Sequence, residues 1–352
     1  MTIFITGGAG FIGSNFILEW LKLNDEKIIN IDNLTYSGNL SNLESVTQNK
    51  NYHFVRADIC ESVKLSQLFE EYNPRAIIHF AAESHVDRSI IGPSEFIHTN
   101  ILGTFNLLEV VRKIFETGRL DKDFRFIHIS TDEVYGSLSE NEKPFTEKNQ
   151  YCPNSPYSAS KASSNHLARS YFETYKIPTI ITNCSNNYGP YQFPEKLIPL
   201  VINNALERKE IPIYGDGKNI RDWLYVRDHC LAIMKVLELG NPGETYNIGG
   251  NNEIRNLDLV GQICEELDQL SPIDNFGGSK YFDLVNFVPD RPGHDRRYAI
   301  DSSKIKNNLN WEPLETFKSG MKKTISWYLD NLEWIANIRS GEYEKWIFKQ
   351  YK

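Results

Sequence analysis

Along the first half of the chain, short β-rich apolar runs alternate with stretches at helical spacing. Thr2–Thr6 (TIFIT) predicts a first strand, and Gly13–Leu23 then carries helical periodicity. Lys27–Asp32 and Tyr52–Ala57 predict the second and third strands. Glu61–Tyr72 predicts a polar amphipathic helix that stops before Pro74. Ala76–Ala82 predicts a fourth strand. A long helix is predicted over Phe96–Phe115, where Ile101, Leu102, Phe105, Leu108, Val111 and Ile114 fall near helical spacing. Phe124–Ser130 reads as a fifth strand, Ser158–Tyr175 as a helix and Pro178–Asn183 as a further strand. Strands alternating with helices predict an α/β fold with a doubly wound parallel sheet.

The pattern changes after about residue 185. Turns are marked by Tyr188-Gly189-Pro190, Gly215-Asp216-Gly217, Gly249-Gly250-Asn251-Asn252 and Gly277-Gly278. Helical spacing persists near 195–208, 228–239 and 257–268, and a last helix is predicted over Glu315–Leu332. The segment 271–297 is polar, punctuated by Pro and Gly, and reads as one long loop. The expected organisation is a nucleotide-binding domain over 1–190, rejoined by a segment near 220–250. A smaller mixed α/β domain, mainly substrate-binding, covers 191–352.

The 352 residues carry 38 basic and 46 acidic side chains, a net charge of −8, so no basic footprint for nucleic acid is present at whole-chain level. An anionic ligand must be held by local arginines and lysines. No run approaches the about 18 apolar residues that cross a bilayer, and the N-terminus has no signal-peptide pattern; a cytoplasmic protein is expected. Cysteines at 60, 152, 184, 230 and 264 form no Cys-x-x-Cys pair, and the histidines form no His-Glu-x-x-His pattern. Neither a disulfide framework nor a metal site is expected.

Gly8-Ala9-Gly10-Phe11-Ile12-Gly13, preceded by Gly7, has the spacing G-x-G-x-x-G between a predicted strand and a predicted helix. Glycines there let the backbone turn tightly against a pyrophosphate, which the helix N-terminus attracts. Asp32 ends the second strand; a carboxylate there binds an adenosine ribose and repels a 2′-phosphate, favouring NAD over NADP. This is a Rossmann-type signature. Asp58-Ile59 follows the third strand, where the acid either meets an adenine amino group or stands solvated in a loop.

Tyr157 and Lys161 are four apart at the start of a predicted helix and share a face. An ammonium, with the positive nicotinamide, favours the phenolate that a tyrosine base requires. The same spacing recurs at Tyr214 and Lys218, across a glycine turn, where no shared face is required. After the fifth strand come Thr131, Asp132 and Glu133. Residues beyond the C-terminal ends of parallel strands line the ligand crevice. Paired carboxylates there can divide the work of removing a proton beside a ketone and protonating a departing hydroxyl.

With the glycine loop, Asp32, Tyr157/Lys161 and the strand-end triplet, nearly the whole chain resembles the extended short-chain dehydrogenase/reductase family, whose members act on nucleotide sugars. Within it, Thr131-Asp132-Glu133 is similar to the triplet of the 4,6-dehydratases that act on dTDP-glucose. Epimerases carry Ser-Ser or Thr-Ser-like residues. Glucuronate decarboxylases and GDP-mannose dehydratases carry Thr-Ser-Glu-like forms. Further matches are Ala81–Ser89 (AAESHVDRS), Asn186–Gln192 (NNYGPYQ) and Arg291–Asp295 (RPGHD).

The resemblance implies that Tyr157 deprotonates the glucose 4-hydroxyl, Glu133 removes the C5 proton and Asp132 protonates the leaving 6-hydroxyl. Hydride passes from C4 to NAD and back to C6, so the net reaction is loss of water. Thr131 would hold the 4-hydroxyl, and Lys161 the nicotinamide ribose. The resemblance places the cofactor against Gly7, Gly10, Phe11, Ile12, Gly13, Asp32, Asn33, Thr35, Asp58, Ile59, Ala81, Ala82, Glu83, Thr99, Tyr157, Lys161 and Asn187. It places the substrate against Ser84, His85, Thr131, Asn186, Lys196, Leu197, Pro212, Ile213, Tyr214, Arg221, Asn256, Arg291, His294 and Asp295. Among these, Lys196, Arg221 and Arg291 would hold the diphosphate.

The family also implies a homodimer, with the helices over 96–115 and 158–175 forming a four-helix bundle. The alternative for their apolar stripes is packing on the sheet. Other readings stand beside the dehydratase: a UDP-sugar 4-epimerase or decarboxylase, which needs no acid at Asp132, and a non-catalytic NAD-binding regulator. The nucleotide base stays open among dTDP, UDP and CDP.

Overall fold

A computed structural model describes residues 1–272 and 280–339. The chain runs β1 (Thr2–Thr6), α1 (Phe11–Leu23), β2 (Lys27–Asp32), β3 (Tyr52–Arg56), α2 (Ser62–Tyr72), β4 (Ala76–His79), α3 (Val86–Ile91) and α4 (Pro93–Phe96). It continues through α5 (Thr104–Glu116), β5 (Arg125–Thr131), α6 (Pro156–Tyr175), β6 (Thr179–Cys184), β7 (Asn186–Tyr188), α7 (Leu197–Leu206), β8 (Ile211–Tyr214) and β9 (Ile220–Tyr225). The last elements are α8 (Val226–Leu239), β10 (Thr245–Ile248), β11 (Glu253–Arg255), α9 (Asn256–Leu270), β12 (Val285–Val288), α10 (Ser303–Leu309), α11 (Phe317–Asp330) and α12 (Leu332–Ile338).

Seven strands form one parallel sheet in the order β10-β6-β5-β4-β1-β2-β3. Alternation along β1 shows why both faces are covered. Ile3 and Ile5 pack with Phe16 and Trp20 of α1 and with Val236 of α8. Phe4 points the other way, to Leu65 of α2 and Leu107 and Val111 of α5. The chain leaves β1 towards β2 on one side and reaches β4 on the other. The C-terminal ends of β1 and β4 therefore flank the switch point where such sheets open a crevice.

The remaining strands make two small sheets, β11-β9-β7 and β12-β8. A second core, with Ile202, Leu259, Ile263, Met321, Ile325 and Tyr328, holds them together. Here the expected 271–297 loop is corrected. Tyr281–Leu284 forms a 3-10 turn, and β12 pairs in parallel with β8, Val285 opposite Ile211. Four residues on the edge of a two-stranded sheet, none of them fully buried, leave little apolar signature. The expected turn at Gly277-Gly278 lies outside the described residues.

The predicted single helix over 96–115 is also corrected. Between α4 and α5, residues Ile97–Gly103 form π turns. The widened turn carries the buried Asn100. Its Oδ1 accepts from Glu83 N (2.8 Å), and its Nδ2 donates to Glu83 O (3.0 Å) and Ser160 Oγ (2.8 Å). That amide pins the chain after β4 to α6.

Helix α6 starts sharply. Ser155 caps it in a reciprocal box with Ser158 (3.0 Å in each direction), and Pro156 occupies the first helical position. Tyr157 and Lys161 are thereby set on its first turns. Ser155→Ala should lower stability by about 1 kcal/mol, read as a lower urea midpoint with an unchanged slope.

Candidate active site

The phosphate loop leaves β1 at Gly7, whose φ of +71° favours glycine. A Cβ on Gly7 would lie 2.5 Å from Ala81 N, and one on Gly13 would lie 2.4 Å from Gly7 O. The loop is thus packed to backbone contact, and the cleft wall above it is bare backbone. Asp32 closes β2 over the loop. Its Oδ2 accepts from Ala9 N (2.9 Å) and its Oδ1 from Leu34 N (2.8 Å). Burial pushes its carboxyl up, against those two amides. Its remaining lone pairs suit a ribose diol.

All the residues expected to meet the cofactor line this first chamber, among them Asn33, Thr35, Ile59, Ala82, Glu83, Thr99 and Asn187. Asp58 lines it too, with Asn33 Nδ2 on its Oδ2 (2.8 Å) and Cys60 N on its Oδ1 (2.8 Å). The cradle therefore fits a dinucleotide: glycine backbone at the pyrophosphate position, a carboxylate at the ribose position, and a buried tyrosine–lysine pair at the far end.

That pair departs from expectation in one respect. Lys161 Nζ donates to Ile129 O (2.7 Å), and burial brings its ammonium down to about 8. Burial first, then the charge of Glu133, pushes the Tyr157 phenol well up; the hydrogen bond with Thr131 opposes this. The protein's own charges do not favour the phenolate here. The positive charge of an oxidised nicotinamide would act in the needed direction.

Asp132 and Glu133 follow β5 on a 3-10 turn, where Thr131 Oγ1 accepts from Glu133 N (3.3 Å). Their surroundings differ. Asp132 is buried and its Oδ2 has no hydrogen-bond partner. Burial, then the charges of Glu133 and Asp222, hold its carboxyl well above the usual range. Glu133 is half-buried; burial raises its carboxyl, while Arg291, Arg221 and Lys196 pull it down. Burial raises both carboxyls, Asp132 the further, because three cations offset part of the rise at Glu133, and the two titrations are set apart.

Glu133, Asn186, Asn187 and Lys196 also line a second chamber, so the two form one cleft. Its walls bring together His85, Leu197, Pro212, Ile213, Tyr214, Arg221, Asn256, Arg291 and His294. Ser84 lines the first chamber, and its carbonyl accepts from Lys196 Nζ (2.7 Å). Arg221 is buried over the Tyr298 ring (4.2 Å) and donates to Asp295 O (2.9 Å). Buried polar atoms of Asn186 (Oδ1), Asn256 (Oδ1) and Arg291 (Nε) have no partner within the protein, as a polar ligand requires. Both histidines are kept neutral by burial, His85 well below its usual range and His294 at about 4.

Asp295 does not line the cleft. Its carboxylate is taken by Asn154 Nδ2 (2.6 Å) and Tyr298 OH (2.5 Å), so it braces Arg221 from behind.

Sequence reasoning missed two buried acids. Asp87 accepts from Arg291 Nη1 (3.1 Å) and Tyr214 OH (3.3 Å). Glu195 accepts from Arg88 Nε (3.0 Å) and Tyr36 OH (2.9 Å). Asp87 stood inside the run Ala81–Ser89, but its partners lie more than 100 residues away; Glu195 had only its neighbour Lys196 as a signal. Among the described residues, no group of three or more His, Cys, Asp or Glu side chains is placed to hold a metal ion.

A family model described as GDP-mannose 4,6 dehydratase matches residues 4–324. A dTDP-glucose 4,6-dehydratase from Salmonella typhimurium is 55% identical over 100% of this chain and 99% of its own. The crystal structure of a dTDP-glucose 4,6-dehydratase from Bacillus anthracis, in complex with NAD, is 46% identical. It superposes with a TM-score of 0.84 over 96% of this chain and 99% of its own. One from Streptomyces venezuelae, with NAD and TYD bound, is 42% identical with a TM-score of 0.88, over 96% and 100%.

Proposed function

The chain belongs to the GDP-mannose 4,6 dehydratase family, and we propose that within it the protein is a hydro-lyase converting dTDP-glucose to dTDP-4-dehydro-6-deoxyglucose, a deoxysugar precursor. The observation that carries this reading is the pairing of Asp132, buried with an unpartnered Oδ2 and a raised carboxyl, with Glu133, which faces three cations. NAD in the first chamber would take hydride from C4 and return it to C6. Asp32 would hold its adenosine ribose, Lys161 its nicotinamide ribose, and Gly10 to Gly13 its pyrophosphate.

The protein's own residues do the rest. Thr131 and Tyr157 face the 4-hydroxyl, and Tyr157 takes its proton. Oxidation at C4 makes the C5 hydrogen acidic, and Glu133 removes it. Asp132 gives its proton to the 6-hydroxyl, which leaves as water. Glu133 then returns a proton to C5. Lys196, Arg221 and Arg291 supply the positive charge for the diphosphate in an otherwise acidic protein.

A 4-epimerase or decarboxylase has no leaving hydroxyl to protonate, and a buried, protonated Asp132 would be of no use to it. A non-catalytic NAD sensor has no need for Asp132, Glu133, Tyr157 and Lys161 together.

The dinucleotide half is assigned to 1–190 with the 220–250 segment, on the support of β10 completing the large sheet beside β6. The substrate half is mainly the rest. A homodimer through the 96–115 and 158–175 helices is supported by exposed Ile97, Leu102 and Phe105 on the outer side of that bundle. A cytoplasmic enzyme suits five free cysteines. No helix among the described residues is long and apolar enough to cross a membrane.

Purified protein given dTDP-glucose without added NAD should yield a dTDP-sugar lighter by one water, read by mass spectrometry. Glucose–galactose interconversion on UDP instead would move the reading to an epimerase. Asp132→Asn should slow dehydration by about 100-fold or more, while absorbance at 340 nm still reports oxidation at C4. Normal dehydration in that variant would remove Asp132 from the mechanism.

The rate should fall at low pH as Glu133 takes up a proton, and at high pH as Asp132 loses one, with apparent values belonging to the pair. Arg291→Gln removes the largest charge lowering Glu133. The acidic limb of kcat, measured at saturating substrate, should then move to higher pH. Leu102→Glu should shift the sedimentation coefficient from dimer to monomer.

A further inference from the structure

Ala9 lies between Gly8 and Gly10 of the phosphate loop and is gripped from both sides. Its N–H donates to Asp32 Oδ2 (2.9 Å). Its carbonyl accepts from Asn39 N (3.0 Å) and Asn42 Nδ2 (3.0 Å). Asn42 is buried on the 3-10 turn Leu40–Val46, which arches over the loop. A primary amide has two faces, and turned the other way Asn42 would set its oxygen against Ala9 O. Trp334 Nε1 donates to Asn42 Oδ1 (2.9 Å) and removes that freedom. An indole N–H is a donor only, so the amide oxygen must face α12 and the NH2 must face Ala9.

Trp334 is 292 residues from Asn42 in the chain. Aromatic packing holds it there: its ring centroid lies 5.0 Å from Trp327, 5.9 Å from Tyr191 and 6.4 Å from Tyr328. Tyr328 OH donates to Gln192 O (2.6 Å), and Tyr191 takes a φ of +66° to put its ring against Trp327 at 4.7 Å. Tyr191 and Gln192 open the strap that ends in Glu195 and Lys196, and Gln192, Glu195 and Lys196 line both chambers. The hairpin of α11 and α12 thus reaches the cofactor loop through the Asn42 amide and touches the substrate strap at Tyr191 and Gln192.

We propose that Trp334 is a positioning residue for the dinucleotide: through the Asn42 amide it holds the phosphate loop in its binding shape and ties retention of the cofactor to the strap over the substrate. It touches neither ligand. The inference rests on reading the first chamber as an NAD cradle.

The test is the rate at which NAD on the purified holoenzyme exchanges with excess radiolabelled NAD, counted on desalted protein. Trp334→Phe keeps an aromatic ring in the cluster and loses the N–H. Asn42→Ala reaches the same contact from the other end without touching the aromatic cluster, and decides the matter should the Trp334 variant fold poorly. Each variant should release NAD about tenfold faster. The double variant should be no faster than the faster single one, because both changes break one relay. A tryptophan that only stabilised the fold would give additive effects. Exchange at the wild-type rate in Trp334→Phe and Asn42→Ala, or additive rates in the double variant, would overturn the relay. Wild-type protein that neither carries nor takes up NAD would instead overturn the cradle reading, and the relay with it.

Discussion

Two adjacent carboxylates have been taken out of water at the end of a parallel strand, and much of the surrounding structure answers to that cost. Asp132 is buried with no hydrogen-bond partner on Oδ2, and the Arg221 charge offsets only part of that burial, so its carboxyl is held well above the usual range. Glu133 is faced by Arg291, Arg221 and Lys196. Those cations are themselves dehydrated, and each is braced: Arg291 by Asp87, Arg221 by the carbonyl of Asp295, Lys196 by the carbonyl of Ser84. The separation between the two acids' titrations is therefore a property of the whole pocket wall. Removing a brace leaves a buried charge unpaired, which costs more than the contact is worth by itself.

The same wall joins the large sheet to the small ones. The segment after β6 carries Asn186 and Asn187, then Gln192, Glu195 and Lys196, and it borders both chambers. Glu195 reaches Tyr36 beside the cofactor loop and Arg88 after β4. Asp87 reaches Arg291 and Tyr214 from the substrate side. Contacts of this kind would let a dinucleotide and a sugar nucleotide be held in one register, although the walls of the two chambers rest on different hydrophobic cores. That register is needed when a sugar carbon and a nicotinamide must stay in reach through several steps.

Much of this was legible in the residues. The alternation of β-rich and helical runs yields the strands of the parallel sheet up to β6, because strands buried on both faces read as apolar blocks; their order in the sheet came only with the structure. The glycine spacing and Asp32 mark the cradle, because only hydrogen fits where backbone approaches backbone. The other cofactor positions, which the resemblance implied, line the same chamber. Elements whose stability comes from partners were less visible. The π turns at 97–103 carry Asn100, which bonds Glu83, and β12 pairs only with β8 among the described residues.

What the sequence alone determined is the local chemistry: a nucleotide loop on a parallel sheet, a tyrosine and a lysine on one helical face, and two acids after a strand. Those follow from spacing, since residues three to four apart on a helix, or just past a strand end, have their neighbours set by backbone geometry. Tertiary structure decided how the groups titrate and which of them hold others in place. Burial holds the Asp132 carboxyl and the Tyr157 phenol up; Asp295 turns away to brace Arg221; Asp87 and Glu195 steady the cations. Those outcomes depend on desolvation and on charges brought together from distant segments, and neither is a function of sequence separation.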